Sequence, residues 1–237
     1  MIRINLVSGP RNISTALMYS FAQRADTVVL DEPYYAFYLH KTGIEHPGKD
    51  EVLKSQSIDE EEISRKIFGA SSAEILFIKN MAHHLEVMDQ GFTERVKNVF
   101  LIRNPSQILA SYSQVIKAPT LRDIGVEYQF VLFERLKKMG QTPVVMDSGL
   151  ILKNPEAVLK KLCLLVGIPF MKEMLHWNPG PKDYDGIWAK YWYANVHKSS
   201  GFETQPTSNR PLGAHLNELN DRAQYYYKQL LSFSLQP

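Results

Sequence analysis

The stretch INLVSGPRNISTALMYSF, residues 4–21, reads as a strand, a tight turn and a helix. Ile2, Ile4, Leu6 and Val7 predict a short buried strand, and Ser8-Gly9-Pro10 predicts the turn. Ile13, Leu17 and Phe21 then recur every fourth residue, as one face of an amphipathic helix does. Between strand and helix stand Arg11, Asn12, Ser14 and Thr15. A turn of this kind points successive backbone N–H groups into one concavity at the positive end of the helix dipole, which favours a phosphate or similar anion. Arg11 adds a cation and the hydroxyls add donors, so the stretch predicts a phosphate cradle. Ser and Thr also cap many helices for structural reasons alone, and the stretch by itself does not separate the two uses.

The cradle is not of the Walker type, which reads G-x-x-x-x-G-K-[ST]. Counted from Gly9, Ser14 stands at the second glycine and Thr15 at the lysine. The lysine that reaches terminal phosphates is missing in register, as is the metal-binding hydroxyl after it. A cation arrives early instead, two residues after Gly9.

The rest of the chain sets the frame. Its 237 residues suffice for one α/β domain with insertions, and 44% hydrophobic content is that of a globular protein. A net charge of +2 argues against a nucleic-acid partner, because such proteins carry a basic stripe. Cys163 is the single cysteine, so no internal disulfide forms and a reducing, cytoplasmic location is expected. No apolar run approaches the ~20 residues of a membrane span.

Beyond the first helix, strands are expected at 27–30, 74–79, 98–103 and 142–146. Helices are expected at 57–68, 105–116, 120–139 and 154–167, with a final one from about 217. Alternating strands and helices imply βαβ units and a mainly parallel sheet in one domain, residues 1–237, with ligands at the carboxyl ends of the strands. Residues 34–72 and 168–211 read as irregular excursions, expected to form an acceptor pocket and lid. Trp177, Trp188 and Trp192 lie in the second, where packing is the commoner use of such residues.

A second motif lies in VFLIRNPSQILASYSQ, residues 99–114, where Arg103 ends a strand and Ser111 follows eight residues later in the next helix. A chain that leaves the strand and runs back as a helix brings both onto one anion. Either residue alone reads more simply as a strand cap or a surface serine.

Together the two motifs resemble the cofactor signatures of the P-loop sulfotransferases, which use 3′-phosphoadenosine 5′-phosphosulfate. In that family a P-[KR]-x-G-[ST]-[ST] element holds the 5′-phosphosulfate. Pro10, Arg11, Ser14 and Thr15 match it, with Asn12 at the free position and Ile13 in place of glycine. A later R-[ND]-P…S element holds the 3′-phosphate, and Arg103, Asn104, Pro105 and Ser111 match in order. The resemblance implies a three-layer sandwich around a parallel P-loop-type sheet. It also implies transfer of a sulfuryl group to a hydroxyl acceptor, a small molecule or a carbohydrate, without a metal.

Asp31-Glu32-Pro33 looks like the Glu-Pro element of the bacterial and carbohydrate branches, which implies Glu32 as general base. Asp31 reads equally well as a helix cap. Lys79-Asn80-Met81-Ala82-His83-His84 looks like a pocket-facing segment of related enzymes, so Lys79, His83 and His84 are acceptor-site candidates. Adjacent histidines diverge on a helix and no further ligand has metal spacing. Lys198-Ser199-Ser200-Gly201 resembles the late loop over the 3′-phosphate, which implies cofactor contacts from Lys198 and Gly201.

Two other readings stay open. A nucleotide kinase or hydrolase on a similar scaffold predicts Mg²⁺-dependent ATP binding, against which the missing Gly-Lys speaks. A non-enzymatic nucleotide-binding protein derived from the fold is the other, since Ile13 is bulky where the family has glycine. Neither the acceptor nor the oligomeric state is legible.

Overall fold

The computed structural model describes residues 1–203 and 212–237. Its strands are Ile2–Ser8 (β1), Thr27–Asp31 (β2), Ile75–Met81 (β3), Lys97–Ile102 (β4) and Val144–Asp147 (β5). They form one sheet in the order β2-β3-β1-β4-β5, every neighbouring pair parallel. Strands of a parallel sheet are buried on both faces, which explains why they read as mostly apolar runs rather than alternating ones. Every residue of β3 is buried. Successive side chains still point to opposite faces: Val99 and Leu101 enter one core, Phe100 and Ile102 the other. The helix Ser14–Ala22 packs Leu17 and Phe21 on one side of the sheet, and the helix Val126–Lys138 packs Leu132 and Phe133 on the other. The expected three-layer α/β domain is therefore present.

Three polar side chains cross the apolar centre of the sheet. Asn80 donates to Asn5 Oδ1 at 2.9 Å and Asn5 donates to Asn98 Oδ1 at 3.0 Å, all three side chains being buried. Hydrogen bonds between neighbouring strands oppose any slip of register, because a slip leaves these groups unpaired in the core.

Two expectations need correction. Residues 34–72 are not an irregular excursion: they contain helices Tyr35–Thr42 and Lys49–Ser55, besides Glu60–Phe68, which matches the helix expected at 57–68. Gly43 (φ 67°) and Gly48 (φ 75°) flank the first two helices in the left-handed conformation that glycine adopts freely, so they punctuate helices and not a loop. The run Tyr34-Tyr35-Ala36-Phe37-Tyr38-Leu39 is buried throughout, and that apolar run was the available signal. Tyr35, Tyr38 and Val52 meet Trp188, Ala189 and Tyr193 in a third cluster, which joins the two supposedly irregular segments.

The expected helix 120–139 is two helices, Leu121–Ile124 and Val126–Lys138, broken at Gly125 (φ 76°). The break has a cause in packing. A Cβ on Gly125 would sit 2.9 Å from that of Ala82, and one on Gly9 would sit 2.4 Å from the Ile124 carbonyl oxygen. Backbone packs directly on backbone here, and the bend lets the chain close against the loop after β1. Among the described residues no helix is long and apolar enough to cross a membrane.

Candidate active site

The loop after β1 presents its donors inward. The helix Ser14–Ala22 starts without a side-chain cap, so the N–H groups of its first turn have no intrahelical acceptor and face an anion-sized concavity. Ile13 takes φ −84°, ψ 26°, a backbone open to any residue, so this loop does not need glycine there. Its N–H bonds Asn12 Oδ1 at 3.0 Å, while Asn12 Nδ2 reaches the Leu101 carbonyl at 3.0 Å and pins the loop to β4. The left-handed turn falls instead on Arg11, at φ 53°. Among the described residues one other non-glycine residue has positive φ, and it is Glu32, at 44°. Strained backbone of this kind persists where surrounding structure holds it, and clusters at functional sites.

The second motif arrives beside the first. Arg11 Nε donates to Ser111 Oγ at 2.8 Å, and Arg103 Nη1 donates to the Arg11 carbonyl at 2.7 Å. Asn104 accepts the Ser106 N–H at 3.0 Å and, with Pro105, starts the helix Pro105–Tyr112 that carries Ser111 back over the loop. Gln107, one turn into that helix, accepts from Arg103 Nε at 3.1 Å. Among the described residues neither guanidinium pairs with a carboxylate. Burial, and then the like charge of Arg11, lowers the Arg103 pKa. Two adjacent cations, neither in a salt bridge among the described residues, fit an anionic ligand such as a phosphate group.

Glu32 faces the same space, one residue beyond β2. Lys79, the fifth residue of β3, lies buried between two carboxylates. Its Nζ donates to Asp31 Oδ1 at 2.8 Å, to Glu32 Oε1, and to Tyr193 Oη at 2.7 Å. Burial alone would lower Lys79, but Asp31 and Glu32 hold it well above its ordinary value. Burial raises the Glu32 carboxyl to about 7; Lys79 pulls the other way and the charge of Asp31 adds to the rise. Asp31 is tied off by Tyr193 and by the Gly186 N–H at 2.9 Å, while Glu32 lines the cavity.

His83 and His84 follow β3 and are buried. Burial, with His46 and Arg122, lowers His83 to about 3, and burial with His83, His46 and Lys79 takes His84 well below its usual value. Both are therefore neutral at physiological pH. His84 Nδ1 lies 3.8 Å from Glu32 Oε2, and its ring stacks on Tyr35 at 4.7 Å. Among the described residues no group of three or more His, Cys, Asp or Glu side chains is placed to hold a metal.

One cavity of about 320 Å³ gathers these groups. Arg11, Asn12, Ile13, Ser14, Thr15, Arg103 and Ser111 line it, together with Glu32, Lys79, His83 and His84. Gly201 lines it too; Lys198 is exposed and does not. Residues 204–211, the end of the expected lid, lie outside the described residues. Of the tryptophans, Trp177 and Trp188 are buried, Trp177 in the core beside the first helix, while Trp188 and Trp192 also line the cavity.

Tyr193 and Asp185 escaped sequence reasoning. Asp185 accepts from Tyr19 Oη at 2.7 Å and lies 3.0 Å from His197 Nε2, which ties the late segment to the first helix. A single tyrosine or aspartate in a Trp- and Tyr-rich stretch carries no periodicity or spacing that would single it out.

Comparison with known proteins agrees with this architecture. The sequence profile described as a sulfotransferase domain matches residues 2–232. Branched-chain-amino-acid aminotransferase-like protein 1 of Arabidopsis thaliana is 37% identical over 227 residues, which are 95% of this chain and 41% of the plant protein. Its counterpart, protein 2, is 38% identical over 208 residues, 85% of this chain and 36% of the relative. The chain thus spans about two fifths of the length of these curated relatives. Among solved structures, the sulfotransferase domain of the Synechococcus PCC 7002 olefin synthase superimposes with a TM-score of 0.59 at 14% identity, covering 99% of this chain and 96% of that one. The sulfotransferase domain from the curacin biosynthetic pathway gives 0.56 at 16% identity over 99% and 98% of the two chains. These two likenesses are of fold. A profile match that runs from residue 2 to residue 232 carries the further conclusion: the chain belongs to the sulfotransferase domain family.

Proposed function

We propose that this chain transfers a sulfuryl group from 3′-phosphoadenosine 5′-phosphosulfate to the hydroxyl of a small-molecule or carbohydrate acceptor, in line and without a metal. The observation that carries the reading is the cavity itself. Two guanidiniums without carboxylate partners among the described residues and one buried carboxylate line the same space.

When bound, the cofactor supplies an activated sulfuryl group on a phosphate leaving group. Gly9, the first-turn N–H groups of residues 14–16, and the Ser14 and Thr15 hydroxyls would hold the 5′-phosphosulfate, and Arg11 would steady the charge that grows on the departing phosphate. Arg103 and Ser111 would select the 3′-phosphate. Glu32 would take the proton of the acceptor hydroxyl; a carboxyl raised to about 7 is matched to that task near neutral pH. Lys79 gives all three of its protons to Asp31, Glu32 and Tyr193, so it orients Glu32 and leaves the acceptor's own contacts to neutral side chains such as His83, His84 and Tyr35. Positioning and charge stabilisation supply most of the rate in such transfers. The likeness of the chain to the bacterial and carbohydrate branch rests on Glu32-Pro33, directly after β2.

Calorimetry with 3′-phosphoadenosine 5′-phosphate, against AMP, ADP and Mg-ATP, tests the assignment. Binding that needs the 3′-phosphate and is lost in Arg103→Ala supports it. Indifference to the 3′-phosphate sinks it, and a preference for Mg-ATP would transfer the chain to the kinase reading.

A further inference from the structure

We propose that Tyr193 is a positioning residue for the base: its hydroxyl holds Lys79 and Asp31 so that Glu32 keeps its place on the cavity wall. The proposal rests on the reading of Glu32 as the base.

Tyr193 follows the short helix Ala189–Trp192, far along the chain from β2 and β3. Its Oη lies 2.7 Å from Lys79 Nζ, 2.7 Å from Asp31 Oδ2 and 3.2 Å from Trp188 Nε1. A phenol hydroxyl has one proton and two lone pairs, while the ammonium and the indole N–H are donors only. Lys79 and Trp188 therefore occupy both lone pairs, and the proton of Tyr193 has one destination, Asp31. The three donors of Lys79 and the proton and two lone pairs of Tyr193 each have a named partner.

Removing that oxygen changes the balance around Glu32. Lys79 loses one of three acceptors, and Asp31 loses a donor. The ammonium is left between two carboxylates, of which Asp31 is now the less satisfied, and it moves toward Asp31 and away from Glu32. The groups that face Glu32 are Asp31 from β2, Lys79 from β3, His84 from the turn after β3 and Tyr35 from the helix Tyr35–Thr42. Lys79 is the cation among them. When its hold weakens, the proton on Glu32 is held more tightly and the base is less available.

The test is a ¹³C-carboxyl NMR titration of Glu32 in the wild-type chain and in Tyr193→Phe, with thermal unfolding to show that the variant folds. The expected result is a midpoint raised by about one pH unit, about tenfold in proton affinity. The acid limb of kcat/KM should move upward by the same amount, with binding of 3′-phosphoadenosine 5′-phosphate unchanged. A folded Tyr193→Phe protein whose Glu32 midpoint stays in place overturns the proposal. Should that variant fail to fold, Trp188→Phe frees one lone pair of Tyr193 and loosens the orientation of its proton; a smaller shift in the same direction is expected, and none would overturn it. A wild-type chain that binds no 3′-phosphorylated nucleotide speaks against the sulfotransferase reading, and the titration still decides what Tyr193 does to Glu32.

Discussion

Arg11 and Ser111 are a hundred residues apart in sequence and 2.8 Å apart in space, with Nε donating to Oγ. The contact joins the loop after β1 to the helix after β4, so the two sequence motifs form one surface. Ser111→Ala removes a neutral acceptor and a ligand donor, and should weaken binding of 3′-phosphoadenosine 5′-phosphate by about 1 kcal/mol, roughly fivefold. Arg103→Ala removes a charged donor and should cost about 1.5–3 kcal/mol by calorimetry. If the serine variant loses more than the arginine variant, the order of importance assigned here is wrong.

Glu32 should set the acid limb of activity. Its carboxyl, raised to about 7, is protonated below that pH, so kcat/KM is expected to rise as pH passes through about 7 and then level off. Glu32→Gln should remove both the limb and the activity. A limb that survives in this variant would assign it to another group.

The same carboxyl makes stability depend on pH, with a defined sign. Folded Glu32 titrates near 7 and its ordinary value is 4.5, so between these values the folded state binds more protons than the unfolded one. Stability contributed by this site is full below about 4.5 and is lost as pH rises to about 7. His83 acts oppositely: its folded value of about 3 lies below 6.5, so its contribution is present above 6.5 and lost as pH falls. Urea unfolding of wild type and Glu32→Gln from pH 5 to 8 separates them. The variant should gain on the wild type as pH rises, by up to about 1.4 kcal/mol per pH unit. A constant difference would remove Glu32 from the account.

Gly9→Ala places a Cβ 2.4 Å from the Ile124 carbonyl oxygen, which is backbone and cannot turn aside. The expected cost is about 1–3 kcal/mol in unfolding free energy, together with weaker nucleotide binding because the loop must shift. Unchanged binding in a folded variant would show that the close approach of loop and helix is not needed for the cradle.

In the sheet, Asn5→Ala leaves the Asn80 amide and the Asn98 carbonyl oxygen without their partner. Leaving buried polar groups unpaired costs about 1–3 kcal/mol each, so a lowered urea midpoint is expected without loss of nucleotide affinity per folded molecule.

The strands were legible because a parallel sheet buries both faces and so writes each strand as an apolar run between polar turns. The cradle was legible through local chemistry, and Arg103 and Ser111 through a fixed spacing on one strand–helix unit. Lys79, His83 and His84 were found, but not what they do: the sequence offers Lys79 as a group facing the acceptor, and the structure surrounds it with Asp31, Glu32 and Tyr193. Partners drawn from three distant segments leave no mark on local sequence. Gly125 was visible as a residue, yet its role required knowing that Ala82 and Gly9 lie against it. The glycine expected at position 13 shows the converse. The turn's left-handed residue is Arg11, two positions earlier, and a motif cannot say where a loop places its strain.

Arg11 and Glu32 hold their left-handed backbones at a cost that glycine would not incur, since glycine lacks the Cβ that makes such angles unfavourable. At Arg11, on the proposed reading, the demands of folding and of chemistry pull in opposite directions. Glycine at residue 11 would relieve that strain, whereas glycine at residue 32 would also leave the buried Lys79 ammonium short of a carboxylate. Retention of arginine at this angle across descendants would thus be a signature of continued use, readable in any set of related sequences without assaying one of them.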